Sequence, residues 1–207
     1  MAIKLEMVCH ANECRSKLAE AIANKYVQEH NINDIQISSS GIYVDAIKQR
    51  KVPLDFIIHT VYKGINKGIY SPKELQEIEE AISKDTVPIL GEYAERAAKT
   101  LSIEERKNRD HHVHKNRLVL TNTANQTIIT SDLIAIVCMD DYVKAGVFKI
   151  YSCIDSKPSI DTLGNYIGAS PAEIPHTLGI SKKEFAELYE RMQDYVPRTI
   201  EKFLNKD

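Results

Sequence analysis

Cys9 and Arg15 stand six positions apart in the stretch MVCHANECRS, residues 7–16. A short apolar run precedes them and a helical pattern follows. A loop that joins a strand to a helix N-terminus points backbone N–H groups at its centre, and the helix dipole adds positive potential there. Arg15 can hold two anionic oxygens at once. Such a cradle suits a phosphate-like oxyanion. The same field favours a thiolate at Cys9, because helix N-termini and a nearby arginine lower a thiol pKa. A thiolate beside a bound phosphoryl group is a nucleophile aimed at phosphorus.

The flanking pattern supplies the elements that would position this loop. Residues 2–9 (AIKLEMVC) read as a strand. Residues 16–30 read as a helix, with Ser16 as N-cap and Leu18, Ala19, Ile22, Tyr26 and Val27 at helical spacing. Residues 34–38 (DIQIS) alternate as a second strand, ended by SSSG at 38–41. Strand, helix and strand in this order make a βαβ unit and a parallel sheet. Residues 131–139 (SDLIAIVCM) are near-continuously apolar, as a strand buried on both faces should be. DYVKAGV continues as a short helix, and residues 148–154 (FKIYSCI) alternate as a last strand. Residues 181–204 form a closing amphipathic helix that opens on a capping box, Ser181 to Glu184, and in which Pro197 is expected to kink or break the chain.

Between about 60 and 115 there is no strand signal. Residues 71–83 carry Ser71 as N-cap, Pro72 at the first helical position and Glu74 closing a capping box. Residues 88–101 bring Ile89, Leu90, Tyr93, Ala94, Ala97 and Leu101 onto one face. The alternating charges of EERKNRD, 104–110, read as a solvated helix face, and the cluster Asp110, His111, His112 and His114 lacks a second ligand group for a metal.

The chain has 207 residues, 43% of them hydrophobic, enough for one globular domain with a real core. A net charge of −2 excludes a basic field for nucleic acid. No apolar run approaches a membrane span, and Lys4 and Glu6 interrupt any signal pattern at the start. Four cysteines are too sparse to staple the fold and read as thiols of a reducing compartment, so a cytoplasmic protein is expected.

The stretch Cys9-His10-Ala11-Asn12-Glu13-Cys14-Arg15-Ser16, followed by LAEAI, resembles the phosphate-binding loop of the low-molecular-weight protein tyrosine phosphatase family. SSSG resembles that family's Ser-x-Gly, HKNR (114–117) its His-x-x-Arg, and SDLIAIVCMDD its third strand. DTLGNYIG and EIPHTLGIS, within 161–181, resemble the segment leading into its acid loop. The resemblance implies a flavodoxin-like three-layer α/β fold, a four-stranded parallel sheet with helices on both faces. Residues 1–207 would form a single phosphatase-like domain with a helical insertion at about 45–112. It implies a phosphomonoester hydrolase in which Cys9 forms a cysteinyl-phosphate and Arg15 and the loop amides stabilise the phosphoryl oxygens, with no metal or other cofactor. Ser16 would hydrogen-bond the thiolate. Asn12, Ser40 and His114 would brace the loop, and Cys14 would stand where the family keeps a partner thiol for a reversible disulfide with Cys9. The substrate would be a phosphorylated protein or a small phosphomonoester.

The chain departs from the family at the acid. His176-Thr177 stands where the family has Asp-Pro, and Leu178 where it places an aromatic residue, which weakens any phosphotyrosine preference. Three readings stay open: His176 serves as acid, Asp155 or Asp161 reaches in, or the acid is lost. Two further functions compete with hydrolysis. One is arsenate reduction on the same scaffold, for which Cys138 is well placed but Cys153 is too far along. The other is a non-catalytic phospho-ligand-binding module, with the helical insertion as its interface.

Overall fold

The structure, a computed structural model, describes residues 3–49, 51–113, 133–151 and 158–205. Its element order is β1 (Ile3–Cys9), α1 (Arg15–Glu29), β2 (Ile35–Gly41), α2 (Val44–Lys48), α3 (Leu54–Asn66), α4 (Pro72–Ser83), α5 (Val87–Val113), β3 (Leu133–Cys138), α6 (Asp141–Ile150), β4 (Ser159–Thr162), α7 (Leu163–Ile167) and α8 (Lys182–Leu204). The four strands form one sheet in the order β2-β1-β3-β4, parallel throughout. This is the expected α/β architecture. Register aligns the carboxyl ends: Cys9 pairs with Gly41, Val8 with Cys138, and Cys138 with Thr162. The strand-to-helix loop after β1 therefore opens at the carboxyl edge of the sheet, where doubly wound folds bind ligands.

Strand alternation splits the sheet residues between two apolar layers. Leu5, Met7, Cys9, Ala135 and Val137 pack against Leu18 and Ala19 of α1 and Phe185, Leu188 and Met192 of α8. Val8, Ile136 and Cys138 pack on the other face against Val143 and Val147 of α6 and the following Tyr151. The helical segment has its own core, in which Ile57 and Val61 of α3 meet Ile78 and Ala81 of α4 and Leu90, Ala94 and Ala97 of α5. The expected capping boxes are present at Ser71/Glu74 and Ser181/Glu184. No helix among the described residues is long and apolar enough to cross a membrane.

Three expectations need correction. Residues 148–150 end helix α6 and Tyr151 is its C-cap, so the last strand is not there but at Ser159–Thr162. The segment alternates, yet Val143, Val147 and Tyr151 also recur at helical spacing, and that stripe is the one buried on the sheet. Helix α8 runs through Pro197 without a break. Burial of Met192, Val196, Ile200 and Phe203 on both sides of it outweighs one lost backbone hydrogen bond. Helix α5 continues through the charged run, and Glu105, Asn108 and Arg109 in it are buried rather than solvated. Cys153 lies outside the described residues.

Glu6 of β1 is buried under α6, beside Ser40 and Tyr151. Its Oε2 and the Tyr151 hydroxyl have no hydrogen-bond partner among the described residues. Burial raises the Glu6 pKa and outweighs the opposing hydrogen bond from Ser40. Between the ordinary and the raised value the folded chain holds a proton that the unfolded chain has released, so stability falls as pH rises through that window. Glu6→Gln is expected to raise the thermal midpoint by several degrees at pH 7 and to change it little at pH 4, read by calorimetry at both pH values.

Candidate active site

The loop after β1 is shaped by four carbonyls that point outward. The Cys9 oxygen accepts from the Ile42 amide at 3.0 Å, and the His10 oxygen from the Tyr43 amide at 2.8 Å. The Glu13 oxygen accepts from Arg109 Nη1, and the Cys14 oxygen from the Leu18 amide at 2.8 Å. In a trans peptide the N–H points opposite to the C=O, so the amides of His10, Ala11, Cys14 and Arg15 are turned inward. Asn12 reverses the chain with a φ of 55°, a left-handed conformation that asparagine tolerates. The result is a nest of donors at the N-terminus of α1, fit for an oxyanion.

Side chains complete the nest. Ser16 Oγ lies 3.0 Å from Cys9 Sγ and donates to Asn12 Oδ1 at 2.9 Å. Ser16 is therefore inside the first turn and faces the Cys9 thiol, while Cys14 holds the N-cap position expected of Ser16. Arg15 is 2% exposed. Its Nη1 donates to Asp140 Oδ2 at 2.6 Å and to the Ile174 carbonyl at 2.8 Å, and its Nη2 to His10 Nδ1 at 2.7 Å. The other Asp140 oxygen accepts from the Val143 amide at 2.7 Å, so one carboxylate anchors Arg15 and caps α6.

The bracing of the loop differs from the expectation in one residue. Ser40 lies on the face covered by α6, where it hydrogen-bonds Glu6, opposite to Cys9. The loop is held instead by the Ser39 carbonyl, which accepts from Asn12 Nδ2 at 3.3 Å, and by Gly41. A Cβ on Gly41 would lie 2.6 Å from the Asn12 nitrogen and 2.7 Å from the His10 oxygen. His114 lies outside the described residues.

His10 is buried. Its ring is surrounded by those of Tyr43 at 6.0 Å, Phe56 at 5.6 Å, Tyr142 at 5.3 Å and His176 at 5.1 Å between centroids. Burial and the charge of Arg15 push its pKa down to about 4. With Nδ1 accepting from Arg15, the neutral ring carries its proton on Nε2. Tyr142 donates to Asp55 Oδ2 at 2.6 Å, and Tyr43 and Tyr142 share a short hydrogen bond. Asp55, Phe56 and His59 come from α3, so the helical segment forms one wall of the mouth.

His176 is brought to the site. Its Nδ1 accepts from the Leu178 amide at 3.1 Å, which leaves Nε2 as the donor. Burial, then the charges of Arg15, His10, His59 and Lys63, hold its pKa well below the ordinary histidine value. Asp161 is engaged elsewhere: its Oδ1 accepts from Lys144 at 2.6 Å, from the Thr162 amide at 2.8 Å and from Asn165 at 2.9 Å. Burial opposes its ionisation, but those hydrogen bonds win and lower its pKa. It also stands on β4, two strands away from β1. Asp155 lies outside the described residues. Cys14 is buried, and desolvation together with the carboxyl of Glu105 pushes its thiol pKa well up. Among the described residues no group of three or more His, Cys, Asp or Glu is placed to hold a metal ion.

Sequence reasoning missed Asp140, Ser39, Glu105 and Arg109. Asp140 carried a signal, an acid directly after a buried strand and at a helix start. Glu105 bonds Thr177 and reaches Cys14, and Arg109 bonds the loop carbonyl at Glu13, but both sit in a run of alternating charge that gives no hint of burial.

A family model described as low molecular weight phosphotyrosine protein phosphatase matches residues 4–114. The chain belongs to that family. Solved structures agree in fold. A mutant of YwlE from Bacillus subtilis matches with a TM-score of 0.55 at 12% identity, over 99% of this chain and 100% of that one. A Drosophila arginine phosphatase, DARP, matches with a TM-score of 0.55 at 19% identity, over 99% of this chain and 100% of that one. Primo-1 matches with a TM-score of 0.50 at 15% identity, over 96% of each chain. No curated protein matches. Family membership makes phosphatase chemistry the function of this fold, and it fits a nest built around a cysteine and an arginine.

Gly41→Ala should lower the affinity for vanadate by at least tenfold, because the backbone atoms it would strike cannot yield. Ser40→Ala, on the far face, should leave that affinity within about twofold. Titration calorimetry with both variants checks the contrast.

Proposed function

We propose that this chain hydrolyses phosphomonoesters through a cysteinyl-phosphate on Cys9, with His176 as the general acid. The observation that carries this reading is the placement of Cys9 Sγ, 3.0 Å from the Ser16 hydroxyl, in a loop whose flanking carbonyls are fixed outward. The substrate phosphoryl group enters as a dianion and takes hydrogen bonds from the inward amides and Arg15. The thiolate attacks phosphorus as the bond to the leaving oxygen breaks. His176 Nε2 protonates that oxygen, then takes a proton from the water that hydrolyses the thiophosphate. The products are an alcohol or phenol and inorganic phosphate, and the cysteine returns as thiolate.

The charge balance supports His176 in this role. Four cationic or imidazole groups disfavour its proton in the site as it stands. A bound dianion faces the same groups and reverses that balance, so substrate itself loads the acid. Asp161, tied to Lys144 and two strands away, is a poor substitute. The arsenate-reductase reading is weakened by Cys138, which is fully buried and whose thiol pKa burial pushes far up. The rim of Tyr43, Phe56, Tyr142 and Asp55 suits an aryl leaving group and equally a guanidinium one, as the phosphoarginine hydrolysed by an arginine phosphatase would present.

Release of phosphate from p-nitrophenyl phosphate, a phosphotyrosine peptide and a phosphoarginine peptide between pH 4 and 9 tests the reading. Cys9→Ser should abolish turnover, and His176→Ala should slow it by about 10²–10⁴-fold. The alkaline limb of kcat/KM, which reports the free enzyme, should lie below pH 6.5, the ordinary histidine value, whereas kcat should hold to higher pH. Vanadate binding without turnover of any substrate would instead identify a binding module.

A further inference from the structure

The helical segment contributes a third imidazole to the site. His59 of α3 meets the His176 ring edge to face, with centroids 5.6 Å apart and an interplanar angle of 60°. His176 in turn meets His10 at 5.1 Å. The three rings thus run in a row from solvent, where His59 is exposed, to the buried loop. They come from three separate parts of the chain: the inserted helix, the segment after Ile174 and the loop itself.

Helix α3 is built to hold His59 there. Ile57, Val61 and Gly64 lie on one stripe, buried against α4 and α5 or the ring of Tyr70. Phe56, His59 and Lys63 recur at i, i+3 and i+7 on a neighbouring stripe. Phe56 packs on His10 and Tyr43, which pins that stripe over the mouth. The ring of His59 is therefore positioned by the core of the inserted helices rather than by the loop.

We propose that His59 is a positioning residue for the acid step: its ring orients His176 over the phosphoryl site, and its charge decides whether His176 can hold a proton. This rests on His176 being the acid. The groups facing His176 are Arg15 from α1, His10 from the loop, and His59 and Lys63 from α3, while Asp140 and Asp55 act on His10. Arg15 and Lys63 bring cationic side chains to His176. His59 can change its charge near neutrality, and it touches the His176 ring. Burial and Lys63 lower its pKa, which favours the neutral ring. A neutral ring in edge contact tolerates an imidazolium, whereas a second charge at that distance opposes it.

The test compares His59→Ala, His59→Phe, His59→Lys and His176→Ala on p-nitrophenyl phosphate, with kcat and KM measured across pH. His59→Ala should lower kcat by about tenfold with KM within about twofold, and His59→Phe should recover most of that loss by restoring the ring. His59→Lys should shift the alkaline limb of kcat to lower pH by roughly one unit, as a fixed charge beside the acid requires. Wild-type kcat and pH profiles in all three His59 variants, with His176→Ala still impaired, would overturn the proposal alone. A wild-type rate and profile in His176→Ala would overturn the assignment of the acid and His59's role with it. Equal loss in His59→Ala and His59→Phe, with no pH shift in His59→Lys, would reduce His59 to a packing residue and likewise overturn the proposal.

Discussion

The buried guanidinium of Arg15 is the constraint on which the site depends. A charge that is 2% exposed is stable only if its donors are satisfied. Here the Asp140 carboxylate, the Ile174 carbonyl and His10 Nδ1 take three of its five N–H donors, and each comes from a different segment. Satisfying one side chain therefore fixes the start of α1, the junction of β3 with α6, the segment that leads to His176, and the loop. Asp140 is under a second demand, since its other oxygen caps α6. Moving Arg15 would unsettle a helix and a loop together, which makes the arrangement stiff.

The inserted helices are part of this site rather than an appendage. They have a core of their own, yet two of their surfaces are committed to the loop. From α5, Arg109 holds the Glu13 carbonyl, and Glu105 meets Thr177 and Cys14. From α3, Phe56 and His59 close the mouth from the side. Burial raises the Glu105 pKa against the opposing hydrogen bond from Thr177. The same desolvation keeps Cys14 a thiol.

Electrostatics at the mouth then follow from how close the groups lie. Arg15, His10, His59 and Lys63 all work against a proton on His176. An anion in the loop would act against these groups and favour that proton.

Much of this was legible in the chain itself. Three strands of the sheet, their parallel sense and the cysteine–arginine loop follow from local patterns, because alternation, caps and a six-residue spacing are properties of neighbouring residues. Ser71, Glu74, Ser181 and Glu184 cap their helices for the same reason. What escaped was decided by contacts between distant segments. Residues 148–150 carry both a strand and a helix period, and only packing on the sheet selects the helix. Ser40 and Ser39 are chemically the same, and the pleat alone turns Ser40 to Glu6 and leaves Ser39 beside the loop. Glu105 and Arg109 look solvated until α5 lies against the loop. The sequence alone determined which thiol and which arginine stand in the loop. The tertiary structure decided which charges surround them, because burial and charge separation are set by segments far apart in the chain.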